Sequence, residues 1–317
     1  MNDQTHVEKL KQGFAVGIGK GWRGFVWMMK IIVPVSFLTA LLAWSGWMER
    51  IDFVIRPVMG VLSLPDIAAL PLLIGILTGI YGGIAAMAVL PLTIGQMTLI
   101  AVFLLIAHNL IQEGIIQGKS GMGILKATLF RITLAVITVL IIAPFVDASG
   151  PNAAGAITVT STLHSNQAVG EMVIQWGRVM GGLAVKIFFI ILCVLTALEM
   201  LKVFGLIDHI VRFFSPLLRV MGLSERVAIL WIAAALFGLA YGGAVIVEEA
   251  GRGELTDEEL ETLHLSIGIN HAMIEDPALF LPFGIGLFWL WIPRLVLAMV
   301  AVRLLTLWRR FRKLKKY

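Results

Sequence analysis

Eight stretches of this chain, near residues 24–47, 66–92, 95–118, 121–146, 176–203, 225–248, 258–283 and 284–308, run about 20 residues or more on apolar side chains with few charges between them. A helix of that length crosses the roughly 30 Å hydrocarbon core of a bilayer. Lipid offers no partner to backbone N–H and C=O groups, so segments of this kind must satisfy their own backbone as helices or join a closed barrel. Continuous apolar runs, rather than the alternation of a barrel strand, select helices. With 59% hydrophobic and 14% charged residues, the composition excludes a water-soluble globular domain. The expectation is an all-α polytopic membrane protein, in contact with lipid.

The remaining segments fit around these. Residues 1–22 read as an amphipathic lead-in carrying Lys9, Lys11 and Lys20, with no cleavable signal, so the first apolar helix is expected to stay as a span. Residues 49–64 and 206–222 alternate charged and apolar side chains as helices lying in the interface do. Residues 147–171 lack Lys and Arg and read as a connector, and 309–317 form a basic tail. That tail supplies part of the net charge of +5; directly after an apolar helix it reads as a membrane-flanking anchor and not as a nucleic-acid patch. The single cysteine, Cys193, lies in an apolar stretch, which excludes a disulfide framework or a cysteine metal site.

The chain also repeats itself. Lys30-Ile31-Ile32 matches Lys186-Ile187-Phe188, and Ile51-Asp52 with Arg56 matches Ile207-Asp208 with Arg212, both 156 residues apart. Tyr81-Gly82-Gly83 matches Tyr241-Gly242-Gly243 at 160, and His108, Glu113 and Arg131 match His271, Asp276 and Arg294 at 163. The first repeat is assigned to 23–146 and the second to 172–308. Basic residues place both termini in the cytoplasm and the connector outside, as in a bacterial inner membrane. Each half must then cross an odd number of times, although it has four apolar segments. The segments 66–92 and 225–248, interrupted by Tyr-Gly-Gly, are the expected re-entrant hairpins, with Tyr81, Gly82, Gly83, Tyr241, Gly242 and Gly243 at their tips. Three spans, a hairpin and an interfacial helix per half give two repeats of inverted topology.

Polar residues inside such segments are expensive and mark function. The two stretches Ala107-His108-Asn109-Leu110-Ile111-Gln112-Glu113 and Asn270-His271-Ala272-Met273-Ile274-Glu275-Asp276 carry most of them. His108, Asn109, Gln112, Glu113, Asn270, His271, Glu275 and Asp276 are the candidate substrate or coupling-ion groups, with Arg131 and Arg294 as counter-charges. On an unbroken helix His271 and Glu275 share a face, and with His108 they offer ligands to a divalent metal. Pro277 favours a break after Asp276. Three roles remain open on these residues: acids that neutralise the arginines, a proton or cation relay, and a transition-metal site. Gly114-Ile115-Ile116-Gln117-Gly118-Lys119-Ser120 has too few residues between its glycines for a phosphate loop, and neither HExxH nor a nucleophile elbow is present, so enzymatic activity is not expected.

Span, interfacial helix, hairpin, broken span and further span, twice over, is a plan similar to that of concentrative nucleoside transporters. On Ile51-Asp52-Phe53-Val54-Ile55-Arg56, the glycine run Gly75 to Gly83, the His-acid stretch and their second-half counterparts, the chain resembles membrane proteins of the nucleoside-recognition (Gate) type. That group is similar to the membrane part of the ferrous-iron permease and to spore maturation proteins A and B. The resemblance implies a secondary transporter moving a small polar or ionic solute through a midplane site. A divalent-metal permease and a non-transporting membrane component that assembles with itself or a partner are the alternatives. Nucleoside binding does not carry over, because tyrosine is the sole polar side chain at the expected tips.

Overall fold

The computed structural model describes residues 2–46, 57, 59–150, 168–221, 223–253 and 255–314, and among these the protein is helical, with no strand. The first expected interfacial motif, Ile51 to Arg56, and most of the connector lie outside the described residues. The helices used below are α1 (Asn2–Trp44), α2 (Ala69–Thr78), α3 (Ile80–Met87), α4 (Ile94–Ala107), α5 (Leu110–Lys119), α6 (Ile124–Ile142), α7 (Val169–Val203), α8 (Ile207–Met221), α9 (Glu225–Gly251), α10 (Asp257–Asn270), α11 (Glu275–Ala278) and α12 (Leu287–Leu314). Among the described residues five stretches, Leu10–Trp44, Ile94–Lys119, Ile124–Phe145, Val169–Val203 and Leu287–Phe311, are long and apolar enough to cross a bilayer. The protein is an all-α polytopic membrane protein.

Burial separates these stretches into two kinds. In Ile94–Lys119 the most apolar window is 78% buried, against 22–28% in the other four. The stretch made of α4 and α5 is therefore the centre of the molecule, and α1, α6, α7 and α12 present most of their surface to lipid. α10 joins α4 at the centre: every residue from Thr262 to Asn270 is buried. Both central helices start on the same device. Thr93 and Gln96 form a capping box at α4, and Thr256 and Glu259 form one at α10, each satisfying N–H groups that a helix start leaves open.

Residues 2–22, expected as a separate lead-in, are the first half of α1. Their glycines explain why. Gly13, Gly17, Gly21 and Gly24 form a stripe facing α7, where a Cβ on Gly17 would stand 2.7 Å from the Thr196 Cα and one on Gly21 3.0 Å from the Leu192 Cα. Gly13 meets Met200 while Gly24 meets Leu195, so the two helices run antiparallel along the stripe, in close small-residue packing. Lys20 and Glu199 close the contact with a 2.5 Å ion pair. At the other end of the chain, residues 309–314 continue α12 as helix.

Each apolar segment carrying Tyr-Gly-Gly is bent, but at a different glycine from the one expected. α2 ends and α3 begins at Gly79 (φ 100°, ψ 177°), two residues before Tyr81; α9 turns at Gly238 (φ 75°, ψ 173°), three residues before Tyr241. This left-handed backbone is where glycine is needed. Gly82 and Gly83 lie on the first turns of α3, beyond the bend. Gly83 lets the two arms pack, since a Cβ there would lie 3.3 Å from the Gly75 Cα; Gly242 does the same, with a Cβ 2.5 Å from the Ala234 Cα. Gly75, Gly79 and Gly83 thus correspond to Ala234, Gly238 and Gly242, all 159 residues apart, and the Tyr81–Tyr241 match is out of register by one. The side chain of Tyr241 lies outside the described residues. α8 carries the second expected interfacial stretch, with Pro216 inside it.

Candidate functional site

The two His-acid stretches meet at the centre because both helices that carry them stop there. α4 ends at His108, which is extended (φ −92°, ψ 162°), and Asn109 turns left-handed (φ 48°, ψ 39°) before α5 starts. α10 ends at His271 (φ −75°, ψ 162°), and Ala272 turns with φ 46°. Asparagine tolerates that turn; alanine does so at a cost, which marks a backbone held for a purpose. Each turn is anchored to a bent helix pair, Asn109 N–H donating to the Gly75 carbonyl (3.0 Å) and Ala272 N–H to the Ala234 carbonyl (3.1 Å). Pro277 sits inside α11, downstream of the break, where a first-turn residue needs no N–H partner.

A broken helix exposes carbonyls that lipid cannot satisfy. The two intramembrane arginines supply the partners. Arg131 donates from Nε to the Ile106 carbonyl (2.7 Å) and from Nη2 to the His108 carbonyl (3.0 Å); Arg294 donates to the Ile269 (2.9 Å) and His271 (3.0 Å) carbonyls. These are cations at helix C-termini, where the backbone dipole favours them. Beyond this the halves part. Arg131 Nη1 also makes an ion pair with Glu113 Oε2 at 2.5 Å, and among the described residues no ion pair of that kind is seen at Arg294 Nη1.

Between the breaks the imidazoles face each other. The carbonyl of Leu104 lies 2.7 Å from His108 Nδ1 and that of Ile267 lies 2.9 Å from His271 Nδ1. A carbonyl accepts, so Nδ1 carries the proton on each ring and a neutral ring presents the Nε2 lone pair. The two Nε2 atoms are 3.3 Å apart, and Glu113 Oε1 is 3.1 Å from that of His108 and 3.3 Å from that of His271. Asp276 Oδ2 stands 3.6 Å from His108 Nε2. All four side chains are buried. Three acceptors this close repel one another unless a positive charge, a proton or a cation, sits among them.

The remaining candidates divide. Asn270 is buried, with neither side-chain polar atom partnered in the protein. Asn109 forms the turn and donates to Gln112, which is exposed and points away. Glu275 is also elsewhere. It accepts from the Tyr81 hydroxyl at 3.1 Å, and the ring of Tyr81 stands edge-on to Trp27. Because the helix is interrupted at His271, the four-residue spacing to Glu275 no longer places both on one face. The group that converges is His108, Glu113 and His271, not His108, His271 and Glu275.

Sequence reasoning missed a continuation of the site. Gln117 and Ser120 follow Glu113 at helical spacing on α5 and its C-terminal turn, and His264 precedes His271 on α10. Gln117 donates to the His264 carbonyl (3.2 Å), and the Ser120 hydroxyl lies 2.9 Å from His264 Nε2. The spacing of Gln117 four residues and Ser120 seven residues after Glu113 was the available signal.

No family model and no solved structure matches the chain. It is similar to the uncharacterized membrane protein YvoD of Bacillus subtilis (strain 168), with 25% identity over 299 residues that cover 94% of each chain.

Proposed function

We propose that this protein is a secondary transporter of a small cation, with a divalent first-row transition-metal ion as the cargo bound by His108, His271 and Glu113. One observation carries this reading: three buried acceptor atoms, two of them imidazole Nε2, converge within 3.1–3.3 Å. Ligands roughly 2.0–2.1 Å from a tetrahedral ion lie about 3.3 Å from one another, so the spacing suits such an ion with little movement. The Nδ1–H bonds to carbonyls are the outer-shell contacts that orient ligating histidines, and Arg131 orients Glu113 in the same way. Asp276 stands beside His108 as a further oxygen ligand.

Transport rather than storage is supported by the way the site is built. The breaks at His108 and His271, the arginine contacts and the capping boxes recur 163 residues apart, and the helices α1 and α7 that flank them are antiparallel. Two inverted repeats with a re-entrant hairpin each, as in nucleoside-recognition (Gate) proteins, account for this recurrence, and such repeats alternate access around a site between broken helices. In that arrangement both termini face the cytoplasm of a bacterial cell. A proton in place of the metal is the second reading, favoured by the Arg131–Glu113 pair, which already offsets the carboxylate's charge.

The test is thermal stability of the detergent-purified protein with Mn2+, Fe2+, Co2+, Zn2+ or Mg2+, alone and in His271→Ala. A ligand at a hundred times its Kd stabilises the native state by about 2.7 kcal/mol. A shift with a transition metal, absent with Mg2+ and lost in His271→Ala, is expected. No shift with any ion, but a stability that changes with pH and loses that change in His271→Ala, selects the proton. No shift of either kind rejects both readings.

A further inference from the structure

The near-symmetry of the centre fails along one line, and it fails in one direction. From the site towards the α5–α6 turn, α5 and its C-terminal turn present Glu113, Gln117 and Ser120, and α10 presents His271, Gly268 and His264 opposite them. The two rows touch: Gln117 bonds to the His264 backbone, Ser120 to its ring, and a Cβ on Gly268 would lie 3.4 Å from Gln117 Nε2. The equivalent rows leading the other way, 163 residues displaced, read Asp276, Phe280 and Phe283 against His108, Leu105 and Ala101. Gln117 is replaced by phenylalanine, Ser120 by phenylalanine, His264 by alanine and the glycine by leucine. Phe280, Leu105 and Ala101 are fully buried.

The polar row is not satisfied by the protein. Gln117 Oε1 and His264 Nδ1 are buried with no hydrogen-bond partner, although both residues are at most 2% exposed. Water is the usual partner of a buried polar atom that the protein leaves unpaired. On the other side, Phe283 forms part of the wall of a cavity of about 250 Å3 that also involves Ala88, Arg178, Gly182, Lys186 and Pro282, so an opening there ends on an apolar side chain.

We infer that the central site is reached along a polar route between α5 and α10, lined by Gln117, Ser120 and His264 and leading to the α5–α6 turn, which takes up water when the two rows part, while Phe280 and Leu105 seal the opposite approach. Water and small hydrated cations enter by this route. The mouth carries Lys119 and Lys126, and Lys126 and Arg309 both pair with Glu261 beside it. By the distribution of basic residues this is the cytoplasmic face. With the two rows in contact and their side chains buried, the structure is the closed form of this route. What is carried rests on the cation reading above; the hydrated route does not.

The lone native cysteine, Cys193, makes the test direct, since Cys193→Ser leaves a cysteine-free background. In it, Ser120→Cys and Gln117→Cys probe the polar row, and Ala101→Cys and Phe280→Cys probe the apolar one. Each is treated with a cationic, membrane-impermeant methanethiosulfonate in sealed right-side-out and inverted vesicles. Modification of Ser120→Cys and Gln117→Cys from the cytoplasmic face, at least about tenfold faster than of Ala101→Cys and Phe280→Cys, is expected, because a thiol reacts only where water reaches it. Equal and slow reaction of all four overturns the polar route, as does faster reaction from the external face. Full reaction in denaturant shows that each thiol is intact. If the polar row reacts but no metal stabilises the protein, the route stands and the metal reading falls. If a metal stabilises and the row is inert, the reverse holds.

Discussion

Arg131 and Arg294 do the same local work and differ in one contact, which makes them a controlled pair. Each closes a broken helix with two bonds to carbonyls, and Arg131 additionally holds Glu113. Arg131→Met leaves a buried carboxylate without its cation and is expected to cost about 3–5 kcal/mol. Arg294→Met frees two carbonyls but breaks no ion pair as close as that of Arg131 with Glu113, and is expected to cost about 1–3 kcal/mol. Denaturation in detergent measures both; a larger loss in Arg294→Met would contradict this account. Sequence spacing made the arginines legible as intramembrane charges at matching positions, and it assigned them to the acids. Their main bonds are to backbone, which spacing could not reveal, because helix periodicity assumes an unbroken helix across His108 and His271. The same assumption selected Glu275 in place of Glu113 as the third ligand.

At the scale of elements, a bent helix is defined by the one residue that turns it. Gly79 sits at φ 100° and is expected to lose about 1–3 kcal/mol on replacement by alanine. Gly177, on α7 with open space around it, is the contrast: Gly177→Ala is expected to stabilise by about 0.5–1 kcal/mol through helix propensity alone. Thermal shifts of opposite sign in the two variants check this. The existence of the bends was legible as glycines inside apolar runs. Their position was not, since several glycines were available and packing, not composition, decides which one turns and which lets the arms approach. α1 shows the converse. Its glycine stripe was written in the sequence at 13, 17, 21 and 24, but Lys9, Lys11 and Lys20 suggested an amphipathic lead-in, and the partner that gives the stripe meaning is far along the chain.

For the whole molecule, the proposed inverted relation between the halves has a direct readout. A fluorescent protein fused after Tyr317 is expected to be bright, and alkaline phosphatase inserted in the 147–171 connector is expected to be active, in intact bacterial cells. An inactive phosphatase there would place the connector inside and remove the inverted relation between the halves. Helical class and membrane location followed from apolar length alone, because lipid leaves a backbone so few options. The order of the central polar rows did not follow, since it depends on which faces of α5 and α10 meet.

The antiparallel seam between α1 and α7 has a further consequence, for synthesis. The glycine face of α1 is made well before α7, the helix that covers it, which follows residues 45–168 in the chain. Until then its closest packing surface is turned to lipid or to whatever insertion machinery accompanies it. The packing face of α1 is therefore completed only once α7 has been made, which ties the fitting of an early helix to the synthesis of a late one.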